Sequence, residues 1–160
     1  MPQASEAVRD RAAAWFLDDI IDEIEHGNGR LYPDVLTTLA VLADQGIPLF
    51  VASNGRSRYL AAIRTAFLLE RYFIDFYSLD RFSLMSKSAL VKQLLNDYGI
   101  EKAVMVGDRR SDIQAAKDNG IWSIGCRFGF ADDKELTEAD IVIQRFSELS
   151  RLNLPSLVSG

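Results

Sequence analysis

The apolar positions of this chain change period as it runs from end to end. From Ser5 to His26, Val8, Ala12, Trp15, Phe16, Ile20 and Ile24 recur at helical spacing, which predicts an amphipathic helix stopped by Gly27-Asn28-Gly29. Pro33 opens a second helical stretch, with Val35, Leu36, Leu39, Val41 and Leu42 apolar, that ends at Gly46. The period then collapses. Ile47 to Ala52 is a continuous apolar run ending in Ser53-Asn54-Gly55, the pattern of a parallel strand covered on both faces. Beyond it the two kinds of segment alternate. A helix is expected over Arg58 to Leu69, a strand over Phe73 to Leu79, a helix over Ser86 to Tyr98 closed by Gly99, and a strand over Ala103 to Val106. A helix over Ser111 to Asn119 and strands over Ile121 to Gly125 and Ile141 to Ile143 complete the series. Alternation of this kind predicts an α/β domain with a mostly parallel sheet between layers of helices.

Composition narrows the setting. The 160 residues suffice for one domain with a proper core, and 48% hydrophobic residues fit a soluble globular protein. Apolar runs are too short to cross a bilayer, and the amino-terminal segment has no basic stretch followed by an apolar core, so no membrane partner is expected and the cytoplasm is the expected compartment. The formal net charge of −5 argues against nucleic acid as a partner. The single cysteine, Cys126, excludes an internal disulfide and a zinc cluster; it reads as a small buried residue.

The chemistry concentrates at strand ends. Gly107-Asp108-Arg109-Arg110-Ser111-Asp112 follows the apolar run Ala103 to Val106, so two aspartates one helical turn apart are aimed above the carboxyl end of a sheet. Such a pair of hard oxygen ligands suits Mg²⁺, which keeps several waters and borrows oxygens from a substrate phosphate. The plainer alternative is that Asp108 caps the helix and Asp112 is a solvated first-turn acid near the positive end of its dipole. At another strand tip, Ser53-Asn54-Gly55 offers a hydroxyl and backbone N–H groups, and Lys87 at the start of a later helix offers a compact positive charge; together these suit a phosphoryl group. Each also has an ordinary reading, as a strand-to-helix turn and as a surface lysine.

Taken in order, Leu31-Tyr32-Pro33-Asp34-Val35, the run Leu49 to Gly55, Ser86-Lys87-Ser88-Ala89-Leu90 and Val104 to Asp112 resemble the haloacid dehalogenase-like hydrolase superfamily, with the phosphoglycolate-phosphatase and nucleotidase-like branch most similar. The likeness covers about residues 31 to 146. It implies a three-layer Rossmann-like core over 31–160, preceded by an amino-terminal helix over 1–30 resembling the last helix of a helical cap. It further implies that Ser53 binds the transferring phosphoryl group with Asn54 and Gly55 as added donors, that Lys87 steadies that group and the nucleophile, and that Asp108 and Asp112 serve Mg²⁺.

One departure stands beside the match. Members of that superfamily begin with a strand ending Asp-x-Asp, whose first aspartate attacks phosphorus and whose second acts as general acid and base. The nearest run here, Trp15-Phe16-Leu17-Asp18-Asp19-Ile20-Ile21-Asp22, does not have that spacing, so Asp18 and Asp19 are weak nucleophile candidates on what reads as a helix. In the related fold the absent strand lies between those ending at Ser53 and Val106, and its loss leaves backbone groups facing a gap. The gap calls for residues 13 to 18 as a strand, for a closed-up sheet, for a segment of a longer polypeptide, or for a strand from another chain as in a swapped homodimer. Two functions are therefore expected to compete. One is a Mg²⁺-dependent phosphatase of a small phosphorylated metabolite, working through an aspartyl-phosphate and incomplete in this chain; the other is a non-catalytic relative that keeps the phosphate and metal cradle for binding or assembly. A receiver-like phospho-acceptor domain shares strand-end aspartates and a lysine, but its motif order fits poorly.

Overall fold

A computed structural model describes residues 5–129 and 134–157. Helix α1 (Glu6–Glu25) is followed by α2 (Val35–Asp44), β1 (Phe50–Ser53), α3 (Ser57–Ala66), β2 (Asp75–Ser78), α4 (Lys87–Asp97), β3 (Val104–Gly107), α5 (Arg110–Asp118), β4 (Trp122–Cys126), β5 (Ile141–Ile143) and α6 (Leu154–Leu157), with 3₁₀ turns at Leu69–Arg71 and Phe146–Arg151. This is the α/β alternation that the hydrophobic pattern predicts. The first strand starts later than its apolar run because Pro48 has no N–H to give to a ladder, and pairing begins only beyond it.

Among the described residues there are three strand pairings, all parallel, and they fall into two sheets. β1 pairs with β2, Phe50 opposite Asp75 and Ser53 opposite Ser78. β3 pairs with β4, and β4 with β5, in the order β3-β4-β5. β1 and β3 therefore each use one edge. Every residue of both strands is only half-buried, whereas β4, paired on both sides, is buried from Ser123 to Cys126.

Helices tie the sheets together. α4 packs on β1, β2 and α5, while α5 packs on β3 and β4. One core cluster joins Leu42 of α2 to Ile124, Cys126, Ile143, Leu149 and Leu154; another joins Tyr77 of β2 to Leu90 and Leu94 of α4. At the amino end, Ile21 and Ile24 of α1 bury against Ala62 of α3, with Leu17 and Ile20 partly buried beside them. The expected stripe on α1 is thus only half used: Trp15 is 71% and Phe16 61% exposed. Residues 13 to 18 are helical, so they do not form a strand, and Asp18 pairs with Arg58 of α3 at 2.8 Å on the surface.

Candidate functional site

Lys87 and Asp112 meet at the carboxyl ends of the strands. Ser86 caps α4, its side chain accepting from the Ala89 N–H at 3.2 Å, and so sets Lys87 as the first helical residue. Asp112 lies in the first turn of α5, where one carboxylate oxygen accepts from the Arg109 N–H at 3.1 Å. Its other oxygen lies 3.0 Å from Lys87 Nζ, and both side chains are more than nine-tenths buried. Lys87 opens the helix that follows β2 and Asp112 lies in the helix that follows β3, so this contact joins the starts of α4 and α5.

Two glycines make room for the acids. A Cβ on Gly107 would overlap the Asp112 carboxylate, and one on Gly129 would overlap Asp108. The helix cap of α5 is Arg109, so Asp108 is not the cap, and the plain reading of that residue fails. Asp112 is a first-turn acid that serves its own helix, but it is buried rather than solvated and also meets Lys87. Burial first, and then the negative charges of Asp108 and Asp112, push the Cys126 thiol up to about 12, so both carboxylates lie within electrostatic reach of one sulfur.

The serine motif forms a tight turn. The Gly55 N–H donates to Ser53 Oγ at 3.0 Å, which leaves the Ser53 hydroxyl hydrogen to donate elsewhere. A Cβ on Gly55 would stand 3.1 Å from both Ser53 Oγ and the Tyr59 ring, so glycine permits the close approach. Asn54 between them is exposed.

The donors at the strand ends are carboxylate oxygens, the class that Mg²⁺ prefers. Among the described residues, no group of three or more His, Cys, Asp or Glu side chains could hold a metal ion. Asp108 and Asp112 are the sequence-predicted carboxylates that could hold such an ion.

Several residues escaped the sequence. Asp80 holds the start of α3 through Ser57. Glu135, far along the chain, accepts from Arg109 Nη1 at 3.1 Å and from the Arg110 N–H at 3.0 Å, closing over the start of α5. Gly129 shapes the space beside Asp108. Asp80 had a visible signal, since it follows a strand tip as Asp108 does. Glu135 and Gly129 had none, because long-range contacts leave no local spacing.

Comparison with known proteins agrees with this layout. The model of the haloacid dehalogenase-like hydrolase family matches residues 3–126. Among curated relatives, a phosphoglycolate phosphatase of Vibrio vulnificus is 28% identical over 92% of this chain and 67% of its own length. That of Agrobacterium fabrum is 31% identical over 83% of this chain and 59% of its own. The crystal structure of a predicted phosphatase from Clostridium acetobutylicum superposes with a TM-score of 0.71 at 28% identity, over 76% of this chain and 59% of that one. The chain thus spans roughly three-fifths to two-thirds of the length of these relatives. By its matched residues and its α/β architecture, the chain belongs to the haloacid dehalogenase-like hydrolases.

Proposed function

We propose that this chain carries the phosphate-binding and Mg²⁺-binding part of a phosphomonoesterase that acts on a small phosphorylated metabolite. The observation that carries the reading is the buried Lys87–Asp112 pair at 3.0 Å. An ion pair out of water is poor evidence for stability, since desolvation offsets most of the attraction. Its place at the starts of two helices that follow strands, together with the family motifs that assign Lys87 and Asp112 to one site with Ser53 and Asp108, supports a use for it. In that use Lys87 holds a phosphoryl oxygen, the Ser53 hydroxyl donates to another, and Asn54 and Gly55 line the turn. Asp112 keeps Lys87 aimed. Asp108 and Asp112 would hold Mg²⁺, which would supply positive charge to neutralise the phosphate.

The nucleophile is the missing part. Asp18 and Asp19 sit on α1, a helix packed on α3, so neither lies at the tip of a strand. The half-buried apolar strands β1 and β3, each with one edge unused by a ladder, favour an added strand between them from outside the described residues. A longer polypeptide or a swapped homodimer would supply it. The names of the curated relatives favour a small phosphorylated carboxylic acid as substrate.

Removing the catalytic nucleophile of a hydrolase costs about a million-fold in turnover. The 160-residue chain should therefore hydrolyse p-nitrophenyl phosphate with Mg²⁺ very weakly or not at all, and Asp18→Asn and Asp19→Asn should change nothing. Turnover of roughly 1 per second or more that vanishes in either variant would overturn this placing of the nucleophile. A wholly non-catalytic role, the second reading, is favoured by the same missing acid. It would show as phosphate and Mg²⁺ binding with no turnover in any longer or dimeric form.

A further inference from the structure

The turn that holds Ser53, Asn54 and Gly55 is tied at both ends. At its start is the Gly55 N–H to Ser53 Oγ bond of 3.0 Å. At its far end Asp80, two residues beyond β2, takes hold of Ser57, the first residue of α3. The Ser57 N–H lies 3.0 and 3.1 Å from the two carboxylate oxygens of Asp80, and Ser57 Oγ donates to one of them at 2.8 Å. Ser78 Oγ, on a side chain almost wholly buried at the tip of β2, stands 2.7 Å from Ser57 Oγ and completes the set.

We infer that Asp80 is a positioning residue for phosphate: by pinning Ser57 to the end of β2 it fixes the turn in which Ser53, Asn54 and Gly55 present their donors, and it keeps anions off the start of α3. The inference rests on the phosphate reading of the Ser53 turn given above. Two physical points support it. The bonds between Ser57 and Asp80, 23 positions apart in sequence, remove freedom from a short turn. A helix amino terminus is otherwise a ready place for an anion, and a carboxylate already bonded there repels a second negative group. Phosphate is thereby directed away from the start of α3 and toward the donors of the Ser53 turn. A residue that only capped α3 would alter stability and leave phosphate affinity unchanged among folded molecules.

The test titrates inorganic phosphate into the full chain and into Asp80→Ala and Asp80→Asn, at a temperature where near-ultraviolet circular dichroism shows each variant folded. Amide hydrogen exchange of residues 54 to 57 is followed in the same samples. Asp80→Ala should raise the phosphate Kd about tenfold or more, in line with the cost of misplaced binding groups, and should speed exchange at Ser57. Asp80→Asn keeps an acceptor for the Ser57 N–H and should fall between the two, so it carries the test if Asp80→Ala does not fold. Phosphate affinity that is unchanged or tighter in these variants, with the unmodified chain binding phosphate, overturns this inference alone. If the unmodified chain binds no phosphate, the reading of the site falls and this inference falls with it.

Discussion

Lys87 Nζ and Asp112 Oδ1 are 3.0 Å apart, joining the start of α4 to the first turn of α5 with both side chains nearly out of water. Removing one partner strands the other charge. Lys87→Met should therefore destabilise the protein by about 3–5 kcal/mol, measured from urea midpoints, and the double variant Lys87→Met/Asp112→Leu should recover part of that loss. A single-variant cost near zero would mean that the pair is solvated.

Gly107 carries a second prediction. Its missing side chain is the space in which the Asp112 carboxylate sits. Gly107→Ala should cost about 1–3 kcal/mol through overpacking and should abolish any rise in Tm on adding phosphate, because Asp112 no longer holds Lys87 in place. A folded Gly107→Ala protein with an undiminished phosphate response would show that the Asp112 position does not matter to the anion.

Asp80 makes the acid limb of stability specific. Although burial works the other way, hydrogen bonds from Ser78 and Ser57 bring its carboxyl from the ordinary 3.8 down to about 2. The folded state thus binds the proton less readily than the unfolded chain, so this contribution is complete above about pH 4 and is lost as pH falls toward 2. Urea midpoints of the unmodified protein should drop through that window more steeply than those of Asp80→Asn. Equal slopes would show that the carboxylate does not hold Ser57 in solution.

Cys126 should be chemically quiet. With its thiol pushed up to about 12 by burial and by Asp108 and Asp112, the thiolate needed for attack is scarce at neutral pH. Ellman's reagent should label the folded protein far more slowly than the urea-unfolded protein at pH 7.5. Equally fast labelling of the folded form would place Cys126 outside the core.

Local signals carried furthest in this molecule. Ser53 and Asp108 stand out in the sequence because each comes where an apolar run gives way to small or charged residues, and a strand tip needs only a few residues to declare itself. The alternation of helix and strand was legible for the same reason. What packs on what was not. The periodic stripe on α1 gave a face but no neighbour, and the structure buries only its carboxyl-terminal half against α3, leaving Trp15 and Phe16 exposed. The Asp80–Ser57 tie and the reach of Glu135 to the start of α5 join residues distant in sequence, and such contacts follow from the fold rather than from any spacing.

The phosphate and metal reading stands or falls on Asp108 and Asp112 acting together with Lys87. Its most direct test is titration calorimetry of Mg²⁺ into the full chain, alone and with inorganic phosphate present, repeated with Asp108→Asn. Asp108→Asn preserves the shape of the side chain and removes only its charge. The expected result is Mg²⁺ binding that tightens when phosphate is present and disappears in Asp108→Asn. Binding of the same strength in that variant would contradict the assignment of Asp108 to the metal and with it the proposed phosphatase site.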